Sequence, residues 1–257
     1  MADRQSVYLH GFPGGPEEVH AFGPFALPIY APDRRHDAAD LDFPAYVDHL
    51  AQLVRARFPD EQIVLIGFSA GARMALELGV TLEGRVDEII LVSAAAPLQM
   101  GAFLKDMAGR PVFATAQLSP LAFRALTWTQ SQWARFSPDS LFQSIFASAQ
   151  GPDDALKSQA HFRQVIQSMI VKTLQSGSPG YRREILAYVA PWADLLPRVT
   201  APVTLWHGTA DNWTPIGMAD ALEAALPDVR AVHRMPGLSH YSTLQAALTA
   251  LREGTGS

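Results

Sequence analysis

Gln62-Ile63-Val64-Leu65-Ile66-Gly67-Phe68-Ser69-Ala70-Gly71-Ala72-Arg73-Met74-Ala75 is the stretch on which the reading of this chain turns. An apolar run ends in Gly-Phe-Ser-Ala-Gly, and a run of helix formers follows at once. That is the Gly-x-Ser-x-Gly pattern in the setting that gives it meaning: strand, sharp turn, helix. Ser69 holds the tip of the turn with its hydroxyl pushed clear of the backbone. Gly67 and Gly71 carry no Cβ to collide with strand and helix as the chain reverses. Such a turn strains its tip residue by roughly 1–3 kcal/mol, a cost usually retained where function needs it. By itself the string also fits an ordinary βα loop in a chain rich in Gly, Ala and Ser. Its meaning rests on what surrounds it.

Upstream, Val7-Tyr8-Leu9 reads as a short strand that runs into His10-Gly11-Phe12-Pro13-Gly14-Gly15-Pro16. A Gly/Pro cluster of this kind ends regular structure and lets backbone approach a ligand closely. A short helix is expected at 17–22 and a strand at 27–33. Phe43, Tyr46, Val47, Leu50, Leu53, Val54 and Phe58 recur at helical spacing and predict a helix over 43–58. Downstream, the helix that begins at Ala70 runs to about Gly79. Residues 86–95, with Ile89-Ile90-Leu91-Val92 at their centre, form a near-continuous apolar strand of the kind buried on both faces. Strands joined by helical crossovers pair in parallel.

After Pro97 the rhythm changes. Helix-like runs at 118–135, 140–149, 153–176 and 181–193 are separated by Ser137-Pro138, Gly151-Pro152 and Gly177-Ser178-Pro179-Gly180. Alternation resumes with a strand over 201–208. A helix then starts with Thr214 as N-cap and Pro215 at the first helical position. A strand at 229–235 and a helix at 240–251 complete the pattern. The expected organisation is a core of residues 1–96 and 198–257 with a helical insertion, 97–197. An insertion between strands of a parallel sheet lies over one end of it. Ligands bind at the carboxyl ends of such sheets, so the insertion is a candidate lid.

The totals narrow the function. A chain of 257 residues suits one large α/β domain. With 48% hydrophobic and 18% charged residues it is globular rather than disordered. The net charge is −5 and Lys/Arg form no long block, which argues against nucleic-acid and membrane partners. The chain has no cysteine, so disulfides, thiolate catalysis and Cys-ligated metals are excluded. The start, Met1-Ala2-Asp3-Arg4-Gln5-Ser6, lacks a basic segment with an apolar signal core, and a cytoplasmic location is expected. The tail 254–257 reads as a frayed end. His20, His36, His49, His161 and His233 lack the spacing of a metal site, and no metal is expected.

Loops that follow strand ends carry the chemistry. They hold His10-Gly11-Phe12, then Gly67 to Gly71, then His207-Gly208-Thr209-Ala210-Asp211-Asn212-Trp213-Thr214-Pro215, and last Pro236-Gly237-Leu238-Ser239-His240-Tyr241. The order is Ser, Asp, His. With these motifs the sequence resembles the α/β-hydrolase superfamily over roughly 6–96 and 201–252. The resemblance implies an α/β-hydrolase fold with a mostly parallel sheet and an inserted helical cap. Many members begin with a strand hairpin. Here His10-Gly11 comes so early that the sheet should lack it and keep about six strands.

The resemblance further implies Ser69 as nucleophile, His240 as its base and Asp211 as the acid that orients the imidazole. Backbone N–H groups of Phe12 and Ala70 would form the oxyanion hole, since Pro13 has none to give. His10 and His207 read as structural. Trp128, Trp133 and Trp213 are candidate pocket walls. Arg34 and Arg35 either lie in a solvated loop or contact an anionic substrate. The implied activity is a serine hydrolase acting on an ester or thioester of a small, partly apolar acyl substrate, with no cofactor. One alternative is a C–C bond hydrolase or a lyase of the kind found in menaquinone synthesis, with Arg124, Arg135 or Arg163 holding a carboxylate. The other is a non-enzymatic ligand-binding module on the same scaffold.

Overall fold

A computed structural model of the chain describes residues 5–23, 28–175, 177 and 179–254. Among them are six strands in one parallel sheet, in the order β2-β1-β3-β4-β5-β6. They are β1 (Gln5–Leu9), β2 (Ile29–Tyr30), β3 (Ile63–Phe68), β4 (Val86–Val92), β5 (Val203–Gly208) and β6 (Val229–Met235). The helices outside the insertion are α1 (Phe43–Arg57), α2 (Gly71–Thr81), α9 (Gly217–Ala225) and α10 (His240–Glu253). Those between β4 and β5 are α3 (Arg110–Leu118), α4 (Pro120–Phe136), α5 (Pro138–Ile145), α6 (Pro152–Leu156), α7 (Ala160–Gln175) and α8 (Pro179–Val189). No helix among the described residues is long and apolar enough to cross a membrane.

The central strands are apolar on both faces, and the period of two divides them between two cores. Leu9, Ile63, Leu65, Ile89, Leu91 and Leu205 pack with α1, α2 and α9. Tyr8, Ile66, Phe68, Ile90, Val92 and Trp206 face the other way, toward α10. The second core does not stop at the sheet. It continues into Phe123, Phe142, Phe146, Phe162 and Ile166, so the insertion shares its apolar interior with the sheet.

Several local expectations shift. The helix expected over 118–135 is two, because Ser119 turns the chain and caps α4 with its side chain, accepting from Leu121 N and Ala122 N. Pro120 then occupies the first turn, where its missing N–H costs nothing. The helix expected over 153–176 is interrupted at 157–159. The strand expected over 27–33 is only Ile29–Tyr30, and Leu27 lies outside the described residues, as does the tail beyond Gly254. A two-residue outer strand also blunts the edge of the sheet. Thr214 and Pro215 do not open a helix; α9 begins at Gly217, and Thr214 has another use, described below.

The strand order sets the location of the site. From β1 the chain steps outward to β2, crosses back to β3, and then proceeds the other way. The carboxyl ends of β1 and β3 therefore flank a topological switch point, where a crevice forms. Gly71 makes the close approach there possible: a Cβ on it would lie 2.1 Å from Leu9 O and 2.5 Å from His10 O. Gly71→Ala is expected to destabilise the fold by about 3 kcal/mol, since backbone rather than a movable side chain blocks the methyl. Urea unfolding measures this directly.

Candidate active site

Ser69 sits between β3 and α2 at φ 55°, one of few non-glycine residues in the left-handed region. Its N–H bonds Val92 O at 3.0 Å, and its carbonyl accepts from Ala72 N and Ala95 N, each at 3.1 Å. These backbone bonds to β4 and α2 hold the turn against its strain. A Cβ on Gly67 would meet Ala72 Cα and Ala75 Cβ at 2.8 Å, so the first motif glycine is required by helix–strand contact. Ala70 is the N-cap of α2. Its N–H belongs to the helix end, where no intrahelical acceptor exists.

Asp211 and His240 come from different loops that are tied together. Ala210 N donates to Leu238 O at 2.9 Å, and Gly237 N to Thr209 Oγ1 at 2.9 Å. His240 Nδ1 then meets Asp211 Oδ2 at 2.8 Å, with both side chains buried. Asp211 also accepts from Trp213 N at 2.8 Å and Thr214 N at 3.0 Å, and its Oδ2 lies 2.9 Å from the Thr214 hydroxyl. Burial alone pushes this carboxyl up, but the facing His240, together with His207 and the Thr214 N–H, brings it down to about 2. Asp211 is thus held ionised. The Thr214 hydroxyl also reaches Ser93 O at 3.0 Å, so it braces the acid instead of capping a helix.

Ser69 and His240 line one cavity, together with Gly11, Phe12, Trp213 and Tyr241. Trp213 stacks on the His240 ring, 5.2 Å between centroids at 16°. Ile145 at the end of α5 and Ile170 on α7 close the cavity from the insertion. Sequence reading missed both, because an isoleucine on an apolar helical face carries no sign of which cavity it meets.

Other candidates lie elsewhere. Trp128 and Trp133 do not line the cavity: they sit on the outer side of α4, 66% and 37% exposed. Helical phase explains it, since Phe123 and Thr127 of the same helix take the buried face. Arg34 is neither solvated nor at the cavity. It is fully buried, donating to Glu184 on α8 and to His10 O. Arg35 is bound to Asp33, at 2.6 and 2.7 Å, and to Glu17. A desolvated guanidinium needs such partners, and here they are internal carboxylates. No arginine is among the described cavity-lining residues. His10 donates Nδ1–H to Gly11 O at 2.8 Å, and burial with the nearby Arg34 holds it well below the usual histidine range. His207 donates Nε2–H to Thr214 O at 2.6 Å.

Glu18 is a buried acid in the cavity wall that no motif announced. Its Oε2 accepts from Tyr8 OH at 2.9 Å and from Gly11 N at 3.2 Å, so it fixes the loop that bears Phe12. Burial raises its pKa to about 7, with Tyr8, Gly11 and His240 pulling the other way. A carboxyl raised in the folded state stabilises fully below its unfolded pKa and loses that contribution as pH climbs to the folded value. Glu18→Gln is therefore expected to gain stability relative to wild type between about pH 4.5 and 7, by on the order of 3 kcal/mol in all. Urea unfolding of both proteins at pH 5 and pH 8 tests it, and a constant difference would refute it.

A family model described as the alpha/beta hydrolase family matches residues 7–252. The chain is similar to a pimeloyl-(acyl-carrier protein) methyl ester esterase of Nitrosomonas europaea, 26% identical over 194 residues, 72% of this chain and 67% of that protein. Among solved structures it is similar to a thermophilic esterase from Thermogutta terrifontis, with TM-score 0.68 and 18% identity over 98% of this chain and 89% of that one. It is also similar to MenH from S. aureus, with TM-score 0.59 and 15% identity over 98% and 92%. At such identities the structural likeness speaks for the fold alone. The parallel sheet with its strand-end site and the family match over residues 7–252 lead to one conclusion: this chain belongs to the alpha/beta hydrolase family.

Proposed function

We propose that the protein is a serine hydrolase that cleaves an ester or thioester of a small, partly apolar acyl substrate through an acyl-enzyme on Ser69. The observation that carries this reading is the buried Asp211–His240 pair, 2.8 Å apart, opening on the cavity that Ser69 lines. A serine hydroxyl attacks a carbonyl at neutral pH only when a base removes its proton. His240 accepts that proton while Asp211 fixes the tautomer and stabilises the imidazolium. N–H groups of Phe12 and Ala70 receive the developing oxyanion. His240 returns the proton to the leaving alcohol or thiol, and water then attacks the acyl-serine with His240 again as base.

The walls of the cavity support this substrate class. Phe12, Phe68, Ile145, Ile170 and Trp213 favour an apolar acyl group. Similarity to a methyl ester esterase points the same way. The lyase alternative would need a cation to hold a carboxylate, and the cavity's lining residues supply no arginine for it. Fluorophosphonate labelling tests the mechanism: wild type is expected to label and Ser69→Ala is not. Labelling that persists in Ser69→Ala would end the proposal. A panel of p-nitrophenyl esters and acyl thioesters then separates the bond types.

A further inference from the structure

Helix α10 carries His240 at its first position, and its N-terminus is tied both within the helix and to the insertion. The N-cap Ser239 and Ser242 form a capping box, with Ser239 N donating to Ser242 Oγ at 2.8 Å. The donors that a local cap usually takes are the N–H groups two and three positions on. Here they are Tyr241 N and Ser242 N, and both go to a carboxylate from the insertion. Asp153 Oδ2 accepts from Tyr241 N at 2.7 Å, and Asp153 Oδ1 from Ser242 N at 2.8 Å. Asp153 lies in α6 and is 1% exposed.

The same segment grips the acid loop. Asn212, next to Asp211, donates Nδ2–H to Ser148 O at 2.7 Å. Gly151, at φ 54°, comes so close to the loop before His240 that a Cβ would lie 2.6 Å from Gly237 O. Residues 148–153 thus contact the neighbours of both Asp211 and His240. Ser69 is held separately, by backbone bonds to β4 and α2.

We propose that Asp153 is a positioning residue, through which the docked insertion sets the place of His240 relative to Ser69. This rests on the reading of Ser69 and His240 as nucleophile and base.

The test uses the full-length protein and the fluorophosphonate probe, with p-nitrophenyl butyrate for turnover. Asp153→Ala is expected to slow both Ser69 labelling and kcat by about 10²-fold, with KM nearly unchanged, because a displacement near 1 Å costs that much. Asp153→Asn keeps one acceptor and sets an N–H₂ against the other donor, so an intermediate loss is expected. Asp154→Ala, at an exposed neighbour paired with Lys157, is expected to match wild type. The proton NMR signal of the His240–Asp211 hydrogen bond is expected to shift or broaden in Asp153→Ala, less in Asp153→Asn, and not in Asp154→Ala. Equal labelling rates and kcat in wild type and folded Asp153→Ala would overturn the positioning role and leave the serine hydrolase intact. If Asp153→Ala does not fold, Asp153→Asn decides: a wild-type kcat in that variant overturns the role. A wild type that shows no Ser69-dependent labelling removes the mechanism and this role with it.

Discussion

Ser69→Ala is expected to lower kcat for p-nitrophenyl butyrate by on the order of 10⁵-fold or more, with folding unchanged. The substitution removes one oxygen and nothing that holds the turn. The bonds from Ser69 N to Val92 O and from Ala72 N and Ala95 N to Ser69 O are backbone bonds and survive. Alanine also meets the same strain as serine at φ 55°. Ser69→Gly adds a second reading. It abolishes turnover equally, but glycine tolerates the left-handed region, so stability is expected to rise by up to about 1 kcal/mol. Opposite signs on activity and stability would mark a residue kept for chemistry against the preference of the fold. Substantial turnover by either variant would rule out Ser69 as nucleophile.

Asp211→Asn is expected to reduce kcat by roughly 10³–10⁴-fold with KM little changed. Asparagine preserves shape, and its oxygen can accept from Trp213 N and Thr214 N as Asp211 Oδ1 does now. Its N–H₂ then faces His240 Nδ1, where Oδ2 stood at 2.8 Å. Donor facing donor forces the imidazole proton onto Nε2, the nitrogen that must be bare to accept the serine proton. Asp211→Ala is a different change. It leaves buried N–H groups without an acceptor, so a stability loss of about 2–3 kcal/mol should accompany the kinetic one. Since the wild-type carboxyl is held down at about 2, its stabilising contribution is present above the unfolded value and disappears only as pH falls toward 2. An acid limb of kcat above pH 4 therefore belongs to another group. Kinetics across pH 4–9 with urea unfolding at the same pH values checks both halves.

Much of the sheet is legible from residue pattern. Residues 63–68 and 89–92 are apolar on both faces, as suits a parallel central strand covered on both sides. The insertion is legible as helical but not in its phase. Trp128 and Phe142 are both large aromatics in helical segments, yet one is exposed and the other 2% exposed. Their difference is a rotation of each helix relative to a core assembled from distant chain. Arg34 illustrates the same limit. Nothing near it in sequence signals that Glu184 will meet it, 150 residues away.

The sequence by itself determined the fold class and the strand–turn–helix around Ser69, and it placed Asp211 and His240 on loops after later strands, because each depends on a short run of residues whose local sterics permit few conformations. The tertiary structure alone decided which side chains wall the cavity, that Glu18 and Thr214 support its loops, and that Asp153 caps the helix bearing His240. Those contacts join segments far apart in the chain, and they form only when the strand order brings the carboxyl ends of β1, β3 and β5 under the insertion.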